Sequence, residues 1–275
     1  MQNERNQNLY LNRFSILLAF LALGFALVYL LPTENDTATG NILGIQFELS
    51  FYNFIPFLLA MLTVVGTVWV FSVHPIWKRE RLSFFRLIPH LMLPFIATLI
   101  LAIVLRQSAR SPIWWVVFLT GYTIITLLLR AEYVLIEGAG INSLGYSVLV
   151  ISAAFGLFLL LTIALKNSNV RMIAQFLLIF FSALFVSFRL LSLQEGNKDP
   201  ILKALLASMM VVQLSVALHY VFIPPVQYGL LLTGLLYSLS SWLSQFNPEK
   251  KWHQYLEPIL MSLITIAMVV VSLFV

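Results

Sequence analysis

The chain alternates long apolar runs with short polar connectors. Nine runs stand out, near Phe14 to Leu31, Phe51 to Val73, Leu87 to Leu105, Ile113 to Leu129, Leu144 to Leu165, Ile173 to Leu191, Ile201 to Ile223, Val226 to Leu243 and Ile259 to Val275. Each is close to the roughly 20 residues that a helix needs to cross about 30 Å of hydrocarbon. The pattern predicts an all-α fold, a polytopic transmembrane helix bundle of about nine spans. Arg5 and Arg13 precede the first run as in a secretory signal. That run is longer than a signal's apolar core, and Leu31-Pro32-Thr33-Glu34 has no small-residue cleavage pattern, so an uncleaved first span is expected. Only Pro224-Pro225 separates the seventh run from the eighth. Proline cannot continue a helix unbroken but suits a tight turn; a single re-entrant element is the alternative there.

Composition reinforces the pattern. Of 275 residues, 60% are hydrophobic and 10% charged, far more apolar than a water-exposed surface tolerates. Cysteine is absent, which excludes disulfides, thiolate nucleophiles and cysteine metal sites. A net charge of +5 does not point to nucleic acid, because the basic residues fall in short clusters between apolar runs and form no stripe or arm.

Those clusters carry orientation instead. With the N-terminus in the cytoplasm, twelve of the sixteen basic residues lie on the cytoplasmic side, and Arg106, Arg110, Lys166 and Arg171 lie outside. The C-terminus is then outside. Trp69, Trp77, Trp242 and Trp252 fall at cytoplasmic ends, and Tyr52, Trp114 and Trp115 at outer ends, where rings with a polar tip favour the headgroup level. Connectors are short, so residues 1–275 are expected to form a single transmembrane domain with no soluble domain. No internal repeat is evident.

Few polar groups lie within the runs, and none of the nine carries a charge at mid-span. Ser208, Ser215 and His219 share one face of the seventh run, with Gln213 on another. Imidazole titrates near neutrality and ligates metals, so His219 is a candidate relay or ligand; serines that permit close helix approach are the plainer reading. Pro94 and Pro224 each remove a backbone hydrogen bond, as in ordinary kinks. Small residues suited to helix packing include Ala22 with Ala26, Ser152 with Gly156, and Ala204 with Ser208.

Near the span ends, Arg130 and Arg189 suit anchoring by snorkelling, and Arg130 and Glu137 are spaced for a cytoplasmic ion pair. Lys78, Arg79, Arg81 and Arg86 among aromatic residues, and Lys250 with Lys251, are candidate contacts to lipid headgroups, with anionic lipid on the cytoplasmic side as the partner. Glu34 and Asp36 lie two residues apart in the first outer loop, an unspecific pair that reads as a solvated turn. No catalytic residue, metal site or cofactor is indicated.

The leading expectation is a non-enzymatic membrane component of a bacterial cytoplasmic membrane, either a complex subunit with membrane-protein partners or a small transport-like bundle. The alternatives are an enzyme acting on lipid-linked substrates through Glu34 and Asp36 or the basic clusters, and a pigment- or haem-binding subunit using His219 or His90.

Overall fold

A computed structural model describes residues 2–30, 37–42, 45–50, 54–74, 84–108, 111–136, 143–168, 172–193, 199–245 and 256–274. Among the described residues there are nine α-helices, one for each apolar run: α1 (Gln2–Leu30), α2 (Ile55–Phe71), α3 (Phe84–Gln107), α4 (Ile113–Leu135), α5 (Ser143–Asn167), α6 (Met172–Ser192), α7 (Pro200–His219), α8 (Pro225–Gln245) and α9 (Leu256–Phe274). Six contain segments long and apolar enough to cross a membrane: Asn8–Leu30, Leu87–Gln107, Ile113–Leu135, Ser143–Asn167, Met172–Ser192 and Pro200–His219. Helix α2 has 17 residues, about 25 Å at 1.5 Å per residue and so slightly short of a typical hydrocarbon core. Helix α8 carries Thr233, Ser238, Ser240, Ser241 and Ser244, which lower its apolar content.

Apolar patterning did not anticipate one element. Within the long connector between the first two runs, β1 (Thr37–Ile42) pairs antiparallel with β2 (Ile45–Ser50), Ile42 facing Ile45 across the turn. A strand satisfies its backbone groups by pairing, so two strands of six residues each leave no trace in a search for long apolar runs.

The chain divides into two compact units, residues 1–143 and 144–275. In the first, α2 and α3 pack most extensively, with α1 against α2, α3 and α4. Two reciprocal contacts join α1 to α2, for the Leu59 side chain rests on Gly24 and that of Leu17 on Gly66. The hydroxyls of Thr63 and Thr98 lie 3.0 Å apart between α2 and α3, both buried. Helix α3 runs through both Pro89 and Pro94, and Thr98 Oγ1 donates to the Pro94 carbonyl at 2.9 Å. The helix is continuous through position 94, although Pro94 has no N–H to donate to the His90 carbonyl.

In the second unit, α6 packs closely on α7 and α8 on α9, while α7 and α6 also meet α8. Residues Tyr220–Pro224 turn the chain between α7 and α8, which are therefore two separate helices. At Gly229 of α8, an added Cβ would lie 2.7 Å from Ile163 Cγ1 of α5, so the missing side chain admits α5 at close range.

Large apolar side chains remain exposed on the helices of both units, including Leu23, Val65, Leu119, Ile173, Leu206 and Leu263. Water would penalise such a surface, whereas lipid does not. The helices belong to a membrane protein.

Candidate functional site

The polar residues of the seventh run separate according to helix face. Ser208 and Ser215 are fully buried, but the Ser208 hydroxyl donates to the Leu205 carbonyl of its own helix at 2.9 Å. It serves packing beside the equally buried Ala204. Gln213 is exposed on the opposite side of α7 and joins no cluster.

Ser215 and His219 instead meet residues of three other helices. The Ser215 and Tyr228 hydroxyls are 2.6 Å apart and buried. The Gln175 side chain, from the first turn of α6, also hydrogen-bonds to the Tyr228 side chain, and its Nε2 is buried with no hydrogen-bond partner. Lys166, in the last turn of α5, stands 5.0 Å above the Tyr228 ring centroid and donates a long hydrogen bond, 3.4 Å, to the His219 carbonyl. A cation at the C-terminal end of α7 faces the negative end of that helix dipole. The His219 ring meets Phe176 edge-on at 5.9 Å, and its Nδ1 is buried without a partner.

These groups gather where the C-termini of α5 and α7 meet the N-termini of α6 and α8. Beside them lies an open hollow of about 510 Å³, walled by Lys166, His219 and the turn from Tyr220 to Pro225. Among the described residues no carboxylate pairs with Lys166. Lys166 is the donor-only group of the site, and one of its three N–H donors is engaged by the His219 carbonyl. Lys166 and Gln175 were not singled out by apolar patterning, since a residue at a helix end gains its partners only through the tertiary fold.

The first unit holds a second polar cluster. His90 Nδ1 of α3 lies 2.8 Å from Glu132 Oε2 of α4, with the Glu132 side chain fully enclosed. Nearby, Tyr133 stacks on Tyr10 at 4.0 Å and receives His74 edge-on at 4.7 Å. Arg13 Nη1 donates to the Trp69 carbonyl and to Ser72 Oγ, both at 2.8 Å. The carboxylate that finds a partner is therefore Glu132, because α4 continues to Leu135, beyond the expected end at Leu129. Arg130 is exposed, and Glu137 lies outside the described residues. Arg189, expected to reach an interface, is 3% exposed and enclosed by protein. A Trp114–Trp115 pair opens α4, with Trp115 exposed and Trp114 buried against Tyr29 and Phe118.

Of the expected lipid-headgroup contacts, Lys78, Arg79, Arg81, Lys250 and Lys251 lie outside the described residues, as do Glu34 and Asp36. Arg86 falls within α3, but its side chain is also outside the description. Among the described residues no three His, Asp or Glu side chains are grouped as a metal site.

No curated protein and no solved structure matches this chain. A family model described as a protein of unknown function, DUF5656, matches residues 33–272, which span α2 through α8 and all but the last two residues of α9. A match over that much of the chain makes this protein a member of the DUF5656 family.

Proposed function

We propose that the chain is a non-enzymatic, multi-pass component of a bacterial cytoplasmic membrane, built as a small transport-like bundle. It crosses the bilayer nine times as a single transmembrane domain, N-terminus inside and C-terminus outside. One observation carries the transport-like reading: the hollow of about 510 Å³ in the second unit, with Lys166 and His219 in its wall. The volume lies within the roughly 300–1,000 Å³ of small-molecule sites. A hollow at helix ends with Lys166 and His219 in an otherwise largely apolar wall gives a solute with a polar group a place to meet protein donors. Given the charge bias of the connectors, this end of α5 and α7 faces outward. On the cytoplasmic side, Lys78, Arg79, Arg81, Arg86, Lys250 and Lys251 contact anionic lipid.

The absence of native cysteine makes the reading directly testable. Single variants Ser215→Cys, His219→Cys and Val221→Cys are to be exposed to a membrane-impermeant maleimide in right-side-out and inverted vesicles. Val221→Cys and His219→Cys are expected to react from the outer face, and the buried Ser215→Cys more slowly. If none of the three reacts from either side, the hollow is sealed and the transport-like reading fails.

A further inference from the structure

We infer that the hollow bordered by Lys166 and His219 binds a phosphate group, carried by a lipid headgroup or free in solution. The inference rests on the aqueous access proposed above and names what occupies that site. Its basis is the donor capacity of Lys166. The Lys166 ammonium has three N–H donors, of which one makes a long bond to the His219 carbonyl. His219 Nδ1, a donor or an acceptor according to the ring's tautomer, is buried with no partner, and Gln175 Nε2 is likewise unpartnered behind the wall, on the side of Tyr228. Ser215 is already committed to the Tyr228 hydroxyl, which the Gln175 side chain also contacts. No carboxylate among the described residues answers Lys166.

The Lys166 ammonium, half-buried at a helix end, keeps N–H donors beyond its long bond to the His219 carbonyl, and an anion rich in acceptors is their complement. Phosphate presents several acceptor oxygens and suits a lysine acting as a point charge. Lys166 and His219 border the same hollow, so one ligand can reach both. The Ser215–Tyr228–Gln175 group forms a hydrogen-bonded support beneath the lysine, with Tyr228 under its ammonium. The rest of the wall is apolar, from Val221 to Pro225, and Phe222 is wholly exposed there. That composition suits a headgroup whose acyl chains remain in lipid, while the open side also admits free phosphate.

The test uses the full chain carrying Val221→Cys, reconstituted in phosphatidylcholine vesicles and labelled with an uncharged, water-soluble maleimide. Two probes are added separately: inorganic phosphate in the medium, or phosphatidylglycerol in the bilayer. Occupancy slows labelling in proportion to one plus the ratio of ligand to dissociation constant, roughly fivefold when phosphate stands at about four times that constant. Slowing by phosphate alone identifies a soluble ligand, and slowing by phosphatidylglycerol alone a lipid headgroup; either supports the inference. In the Val221→Cys background, Lys166→Gln is expected to abolish protection and Lys166→Arg to retain it. Labelling that is rapid and unaffected by both probes overturns phosphate binding while leaving the accessible hollow intact. Protection that survives Lys166→Gln also overturns it, since the ion then sits elsewhere. A cysteine that never reacts removes the accessible hollow itself, and the inference with it. The protection measured on Val221→Cys alone decides the question even if Lys166→Gln does not fold.

Discussion

Glu132 and His90 show what one residue can depend on. The carboxylate is fully enclosed and lies 2.8 Å from the imidazole nitrogen, in a chain where few charged side chains leave the connectors. Removing either partner takes away a 2.8 Å contact of a fully enclosed carboxylate, and breaking a buried pair costs about 3–5 kcal/mol. Glu132→Ala is therefore expected to lower unfolding stability by about 3 kcal/mol, measured by denaturant titration in detergent micelles. Adding His90→Ala should cost less than the sum of the two single changes, because both remove the same interaction. An additive double variant would show that the pair is not coupled. At this scale the sequence singled out Ser215 and His219 through their spacing and put Gln213 on another face; in the structure Ser215 is buried against Tyr228 and Gln213 is exposed. Glu132 escaped because Arg130 resembles a span boundary, although α4 continues for another turn and carries the carboxylate inward.

Between elements, packing turns on single missing side chains. Leu59 occupies the space that a Cβ on Gly24 would need, and Leu17 does the same at Gly66. Gly24→Leu must displace the Leu59 side chain from the seam between α1 and α2, and overpacking of this kind costs about 1–3 kcal/mol. The expected result is a lower thermal midpoint, together with weaker disulfide trapping of a cysteine pair placed across α1 and α2. Gly156→Leu is the control, since nothing lies within 4 Å of a Cβ built there. A larger loss for Gly156→Leu than for Gly24→Leu would refute the packing argument. Sequence spacing had favoured Ser152 with Gly156 as a packing pair, yet both are exposed, whereas Ala204 and Ser208 are buried as expected. A small residue permits close approach, but only the rotation of its helix determines whether a neighbour arrives.

For the whole molecule, the orientation proposed from the basic residues makes opposite demands on the two ends of consecutive helices. Asn167→Cys, at the end of α5, is expected to react with an impermeant thiol reagent only from outside. Ser192→Cys, at the end of α6, is expected to react only from inside. Labelling of both from one face would mean that α6 does not cross the bilayer and would overturn the nine-span topology.

The sequence by itself determined the helical class, the membrane character and the positions of nine helices. Those properties follow from local apolar content and from the length needed to traverse hydrocarbon, which any stretch of chain carries independently of its neighbours. The tertiary structure alone decided that Lys166, Gln175, Ser215, His219 and Tyr228 converge on one end of the second unit, and that Glu132 meets His90 in the first. It also decided that Thr37–Ile42 pairs with Ile45–Ser50 within the first long connector. Each of those results depends on which helix faces approach one another or on which backbone groups pair across a turn. Those choices are made between distant residues, and apolar content along the chain does not encode them.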